Sequence, residues 1–293
     1  MKGIVLAGGT GSRLWPVTRA VSKQLLPVYD KPMIYYPIST LMHAGIREIL
    51  IITTAEDQRH FKALLGDGKQ LGIKFEYKIQ LEPKGLAQAL IIAEDFLGQE
   101  SCLMILGDNL FHGNGLGKQL SLIGKQSACE IFVYNVADPK QYGVAQIDKS
   151  AKLVSIEEKP ENPKSSLAVT GLYYFDNQAS KFASEISPSL RGELEITSVI
   201  QKYLDKNQVF VHELSRGTAW LDTGSVNSMH DASSYVRVLE ERTGLKIACI
   251  EEISYRNSWI DKDGLAKLIS SLSASSYGKY LKTVHDEVPK TQT

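Results

Sequence analysis

The sequence predicts an α/β protein: a Rossmann-like three-layer sandwich around a mixed, mostly parallel central sheet, followed by a C-terminal helical section. Two observations carry this. The first half alternates short apolar runs with amphipathic stretches, the βαβα order that builds a parallel sheet covered on both faces. From Cys129 onward strand signals dominate, so the sheet becomes mixed there. In chain order, strands are expected at residues 3–7, 48–53, 75–80 and 102–106, with helices at 33–44, 58–65 and 86–97. Gly45, Gly72 and Gly98 stand where these elements should stop. Strands follow at 130–136, 144–148, 153–157, 168–175 and 209–214, with a helix at 196–204. Two further helices, 226–241 and 262–271, lead to a polar tail that is expected to fray beyond Leu281. No linker, repeat or low-complexity tract interrupts the chain.

Composition narrows the class. Lys plus Arg and Asp plus Glu each total 33 in 293 residues, so no net field steers the chain toward nucleic acid or an anionic membrane. A hydrophobic content of 43% suffices for a full core at this length. Cys102, Cys129 and Cys249 lack the paired spacing of redox or zinc motifs and read as buried thiols of a reducing compartment. The six histidines are dispersed without zinc spacing. No apolar run approaches the roughly 20 residues that cross a bilayer, and the N-terminus has no signal-peptide core. A cytoplasmic protein is expected.

The most informative stretch is GIVLAGGTGSRLWPVT, from Gly3 to Thr18, with SKQLLPV from Ser22 close behind. An apolar strand empties into Gly8, Gly9, Thr10 and Gly11, and then Arg13; Lys23 follows as a second cation. Glycines let backbone N–H groups approach an anion, and a guanidinium grips phosphate oxygens through a planar fork. The loop is not a P-loop, because the required glycine spacing and Lys-Ser/Thr are missing. As a dinucleotide fingerprint it fails as well, since the third glycine would fall on Leu14 and Pro16 stands where the helix should run.

Two aspartates add a second signal. Asp108 follows the apolar run 103–106 through Gly107, and Asp222 follows Trp220 and Leu221. Ligands of parallel α/β sheets collect at the carboxyl ends of strands, and carboxylates there are the hard oxygen donors that Mg²⁺ prefers. Taken singly each is an ordinary turn former; taken together they form a candidate metal pair.

These motifs resemble the sugar-nucleotide pyrophosphorylases, whose signature is LAGGxGxRLxPxT followed by K-x-L-P-V. Within that group KQLLPVYDKPMIYYP, LLGDG, GLAQA, LGDN, EEKP, VTGLYYFD, RGELEIT and AWLDTG match the glucose-1-phosphate thymidylyltransferases in order, over almost the whole chain. The resemblance implies Mg²⁺-dependent attack of glucose 1-phosphate on dTTP, giving dTDP-glucose and pyrophosphate for dTDP-rhamnose or other deoxysugar synthesis. It also implies a homotetramer, a catalytic domain at residues 1–243 and a regulatory and oligomer-forming section at 244–293. Within the catalytic domain, residues 1–127 would bind nucleotide and 128–225 the sugar.

Carried over residue by residue, the resemblance makes Arg13, Lys23, Asp108 and Lys159 catalytic, with Arg13 on the leaving pyrophosphate. Leu6, Gly8, Gly9, Thr10, Gly11, Gln24, Gln80 and Gly85 join Arg13, Lys23 and Asp108 in holding nucleotide, Gln80 and Gly85 on the base. Asn109, Gly143, Glu158, Lys159, Val169, Thr170, Tyr173 and Arg191 hold the sugar phosphate, and Asp108 and Asp222 the metal. His112, Gly113, Arg216 and residues 248–256 match a secondary feedback site; simple subunit packing is the alternative for 248–256. One departure stands out: QLEPKGLAQ replaces the usual QPSPDGLAQ, putting Leu81 for Pro and Lys84 for Asp. Thymine and uracil differ by one methyl, worth about 1–3 kcal/mol in a pocket, so UTP stays open beside dTTP. A sensor that kept the fold without the chemistry is the rival class.

Overall fold

A computed structural model describes residues 1–9 and 11–287. Strand β1 (Lys2–Ala7) is buried along almost its whole length, which marks a central strand of a parallel sheet. After the glycine loop come the two-residue strands β2 (Pro27–Val28) and β3 (Lys31–Pro32), paired as a small hairpin, then α1 (Tyr35–His43). β4 (Glu48–Thr53), α2 (Gln58–Leu65), β5 (Lys74–Ile79), α3 (Gln88–Ile92), α4 (Glu94–Leu97) and β6 (Cys102–Leu106) complete the parallel half. β1 lies between β4 and β6, with Leu6 opposite both Ile52 and Leu106.

The second half brings β7 (Asn109–Gly113), α5 (Leu116–Leu120), β8 (Cys129–Asn135), β9 (Gly143–Ile147), β10 (Leu153–Glu158) and the long β11 (Leu167–Phe175). Beyond it lie α6 (Ala179–Glu185), α7 (Ile196–Leu204), β12 (Val209–Glu213) and β13 (Thr218–Asp222). The chain closes with α8 (Val226–Thr243), α9 (Ile250–Arg256), α10 (Lys262–Leu272) and α11 (Ser276–Asp286).

Strand β11 organises the mixed part. Along one edge it pairs with β8; along the other its C-terminal half pairs antiparallel with β6 and its N-terminal half touches β9 at Ala168 and Val144. The hairpin of β9 and β10 therefore begins where β6 has ended, and the sheet forks. That fork is the cleft. Alternation along β1 supplies both cores: Ile4 and Leu6 join Leu90, Phe96, Phe182 and Tyr203 on one face, Val5 and Ala7 join Ile38, Leu41, Phe61 and Ile253 on the other. A third cluster docks α8 on the β2–β3 hairpin through Val28, Met33, Tyr36, Ala232 and Val236.

Several expectations need correction. The strands β2, β3 and β7 are absent from the sequence reading, β13 enters it only as the strand end that carries Asp222, and α5, α6, α9 and α11 are absent as well. The helix expected at 86–97 is divided at Ala93 into α3 and α4. Nor does the chain fray at Leu281: α11 runs to Asp286 because Leu281 and Val284 are buried against Cys249, Leu265 and Tyr277. Residues 288–293 of the expected tail lie outside the described residues. Among the described residues no helix is long and apolar enough to cross a membrane.

Candidate active site

The cleft at the fork has a volume of about 560 Å³, and a smaller cavity of about 190 Å³ adjoins it over the glycine loop. The loop leaves β1 through Gly9 and Gly11, whose positive φ values of 94° and 58° favour glycine. Both line the smaller cavity with Gly8, Arg13, Lys23 and Gln24. Thr10 falls outside the described residues. Leu6 lines the main cleft where β1 and β6 run close together. A Cβ on the intervening Gly107 would lie 2.9 Å from the Leu6 carbonyl oxygen and 2.9 Å from Gln24 Cγ.

The two aspartates meet through a pairing. Asp222, the last residue of β13, stands opposite Asn109, the first of β7, so Asp222 and Asp108 become neighbours. Ser225 then caps α8, its Oγ accepting the Ser228 N–H at 3.1 Å, which pins the segment after Asp222. Lys23 ion-pairs with Asp108. Burial works against the Asp108 charge, but the Lys23 ammonium and the Asn109 amide outweigh it and hold the carboxyl below its usual range. For Asp222 burial wins, with Asp108 adding repulsion, and its carboxyl is pushed up to about 6. The Arg13 guanidinium lies over Gly224 beside it: a Cβ there would be 2.9 Å from Arg13 Nη2 and 3.0 Å from Asp222 Oδ1.

Two half-buried, mutually repelling carboxylates, one just before β7 and one at the end of β13, suit a hard divalent cation completed by phosphate and water. Among the described residues no cluster of three or more His, Cys, Asp or Glu is placed to hold a metal ion. The donor set fits Asp108 and Asp222 as the protein's share of a metal shell.

Asn109 is the hub of the floor. Its Nδ2 donates to Asp108 Oδ1 at 2.9 Å, while its Oδ1 accepts from Trp220 Nε1 at 2.6 Å and from the Gly171 N–H at 3.2 Å. Across the fork, Glu158 ends β10 and accepts from Thr197 Oγ1 at 3.2 Å. Burial, and then the nearby Glu195, raise its carboxyl. Lys159 follows in the left-handed region at φ 42°, its N–H held by the Tyr142 carbonyl at 3.0 Å. Such a conformation is costly for a lysine and persists where the surroundings enforce it. Arg191 lies 3.0 Å from Glu193, 3.5 Å from Glu195 and 3.6 Å from Glu158.

Gly143, Val169 and Tyr173 line the same cleft. Thr170 does not: it sits between the inward residues of β11, is fully buried, and donates its hydroxyl to the Phe132 carbonyl at 3.0 Å. The period of two along a strand was the available signal. Gln80 and Gly85 also lie outside the lining, behind it. Gln80 donates to Gln88 Oε1 at 2.8 Å and presses its own Oε1 against Gly8, where a Cβ would approach to 2.3 Å. At φ 110°, Gly85 packs on Leu194, and the Leu194 N–H bonds the Lys84 carbonyl at 2.6 Å, tying the two halves together. The sequence reading missed Leu86, Tyr142, Glu195, Thr197 and Trp220, all cleft-lining. Trp220 was findable, since it shares a face of β13 with Asp222 at i, i+2.

The expected cations are thus interleaved with carboxylates, Asp108, Asp222, Glu158, Glu193 and Glu195. Several of these charges satisfy one another.

Comparison with known proteins agrees with this geometry. The Nucleotidyl transferase family model matches residues 2–238. A glucose-1-phosphate thymidylyltransferase of Neisseria meningitidis is 50% identical over 282 residues, covering 96% of this chain and 98% of that protein. One from Mycolicibacterium smegmatis is 52% identical, covering 98% and 99%. A solved Bacillus anthracis structure, assigned as a glucose-1-phosphate thymidylyltransferase in complex with a sucrose, superposes with a TM-score of 0.75 at 40% identity, covering 81% of this chain and 95% of that one. A UDP-glucose pyrophosphorylase complexed with UDP-glucose gives 0.73 at 26% identity, covering 81% and 98%. Enzymes of this family generally use a divalent metal and act on nucleotide and sugar phosphate substrates. With the relatives matching nearly end to end and the fold matching as well, the chain belongs to the nucleotidyl transferase family and, within it, to the glucose-1-phosphate thymidylyltransferases.

Proposed function

We propose that this chain transfers the thymidylyl group of dTTP to glucose 1-phosphate, releasing pyrophosphate and dTDP-glucose as the first step of deoxysugar synthesis such as that of dTDP-rhamnose, with Mg²⁺ as its metal. One observation carries the reading: Arg13, Lys23, Asp108, Lys159, Arg191 and Asp222 all line a single cleft. No protein nucleophile is needed. A sugar-phosphate oxygen, already ionised, forms the new bond to the α-phosphorus, and the bond to the β-phosphate oxygen breaks, its electron pair leaving with pyrophosphate. What the site must supply is alignment of two polyanions and neutralisation of charge.

Lys23 exchanges Asp108 for a triphosphate oxygen on the attack side. Arg13, beside the glycine-loop cavity, takes the β and γ phosphates and stabilises the charge that moves onto them. Asp108 and Asp222 hold Mg²⁺, which when bound screens the repulsion between the phosphates. Lys159 and Arg191 hold the sugar phosphate. Asn109, Glu158, Gly143, Val169 and Tyr173 surround the hexose, with Thr170 limited to its backbone. Gln24 contacts the nucleotide, while Gln80 and Gly85 act from behind the lining, Gln80 against Gly8 and Gly85 against Leu194.

The departures at 81 and 84 lie outside the cleft lining: Leu81 is 85% exposed, and the Lys84 ammonium sits 2.9 Å from Glu82. The choice of dTTP rests on the relatives, which are thymidylyltransferases. We infer further that the protein works as a cytoplasmic homotetramer; of the expected feedback residues, Ala248, Cys249, Glu252, Ile253 and Arg256 line a cavity of about 230 Å³ with His43 and Lys246. His112 instead meets the Tyr235 hydroxyl at 2.9 Å, and neither His112 nor Arg216 lines that cavity. The test is pyrophosphate release from nucleoside triphosphates paired with sugar 1-phosphates. Fastest turnover is expected for dTTP with glucose 1-phosphate; dominant UDP-glucose formation from equal dTTP and UTP would overturn the base assignment.

A further inference from the structure

Away from the cleft, four charges form a closed square, with Lys31 and Glu240 buried and Asp30 and Lys246 half-buried. Lys31 Nζ lies 2.5 Å from Asp30 Oδ1 and donates to Glu240 Oε1 at 2.8 Å; Lys246 donates to Glu240 Oε2 at 2.8 Å and pairs with Asp30. The Ile247 N–H adds a bond of 2.9 Å to Glu240 Oε1. Lys31 is 3% exposed and Glu240 6%. Tyr277 of α11 turns its ring toward both lysines, at 6.0 and 5.6 Å, and Tyr280 faces Lys246 at 5.9 Å. Burial works against the Asp30 charge, but the two lysines hold its carboxyl below the usual range.

Such a square is a poor way to gain stability, since well-packed apolar residues of similar volume do as well or better. Its best-attested use is fixing register. Here the register it fixes is that of the hairpin β2–β3, and the hairpin holds the turn before it. Met33 N–H bonds the Leu26 carbonyl at 2.9 Å, and Ile34 N–H bonds the Gln24 carbonyl at 2.9 Å. The catalytic lysine stands one residue ahead of that last bond. Glu240 lies on α8, Lys246 beyond it and Tyr277 and Tyr280 on α11, all past residue 238 where the family match ends.

We propose that Asp30, Lys31, Glu240 and Lys246 are positioning residues for Lys23 and Gln24, so that the C-terminal section sets the nucleotide half of the active site. The inference rests on the reading that Lys23 contacts the triphosphate. It predicts an effect on nucleotide use rather than on the sugar phosphate, because no member of the square lines the fork or bonds the sugar half.

The test compares the full-length protein with Lys246→Met, Lys246→Arg and the charge-balanced Asp30→Asn/Lys246→Met, which leaves the pair of Lys31 and Glu240 intact should the single variant fail to fold. Steady-state kinetics are measured with dTTP and glucose 1-phosphate on samples with a cooperative melt. Lys246→Met is expected to lower kcat/KM for dTTP about tenfold or more, with KM for glucose 1-phosphate within about twofold. Lys246→Arg should recover most of the loss, and the double variant should be no worse than the single, as expected of groups acting as a unit. A folded Lys246→Met or double variant with a lower melting temperature but wild-type kcat/KM for dTTP would reduce the square to scaffolding and overturn the proposal. Wild-type protein without thymidylyl transfer would instead sink the functional reading on which it rests.

Discussion

Replacing Asp222 by Asn should stabilise the metal-free protein and abolish its response to divalent cations. The Asp222 carboxyl is raised from 3.8 to about 6 by burial and by Asp108. A carboxyl that binds its proton more tightly folded than unfolded makes stability fall as pH rises between the two values, because the folded state binds the extra proton. The cost is absent below about pH 4 and complete above about pH 6. A shift of roughly two units corresponds to about 3 kcal/mol at pH 8, and to about half that at pH 5. Asn keeps the carbonyl that accepts from the Gly224 N–H and removes the charge. In EDTA, calorimetry should therefore show the variant melting about 5–10 °C above wild type at pH 8, with a smaller gain at pH 5. Added Mg²⁺ should raise the melting point of wild type above pH 6 and leave the variant unmoved. An equal gain at both pH values, or none at pH 8, would refute the claim that a buried charge at this position is the cause.

The remaining predictions concern the division of labour in the cleft. Arg13→Ala should lower kcat by about 10²–10³-fold while KM for glucose 1-phosphate changes little, as for a donor aimed at developing charge; unchanged kcat in a pyrophosphate-release assay would reject that role. Lys159→Ala should raise KM for glucose 1-phosphate by about 10–100-fold, the scale of a lost hydrogen bond to a charged group, with KM for dTTP nearly constant; a rise confined to dTTP would place Lys159 on the other substrate. Gly171→Ala puts a methyl 2.7 Å from Asn109 Oδ1 and 2.8 Å from Leu106 Cδ1. It should cost about 1–3 kcal/mol in unfolding and reduce turnover by moving Asn109 off Asp108; a variant with the wild-type melting point and rate would show that the hub tolerates displacement.

Much of the molecule was legible in local pattern. The expected strands of the parallel half match within a residue or two, because continuous apolar runs bounded by glycine are what a doubly covered sheet requires. The glycine loop with Arg13 and Lys23 was equally readable, since phosphate binding by backbone and flanking cations is written in contiguous residues. Short strands fared worse. β7 and β13 carry weak signals of their own and exist because they pair with each other across more than a hundred residues, a partnership that no window of sequence contains.

By itself, then, the sequence determined the α/β order, the phosphate loop and the identity of the candidate cations and aspartates, all of which depend on neighbours in the chain. Only the tertiary structure decided that Asp222 stands beside Asp108, that the cations are interleaved with carboxylates, that Thr170 turns away, and that Lys31 and Lys246 share Asp30 and Glu240. These are meetings between segments far apart in sequence, fixed by strand pairing and side-chain direction once the whole sheet has closed around its fork.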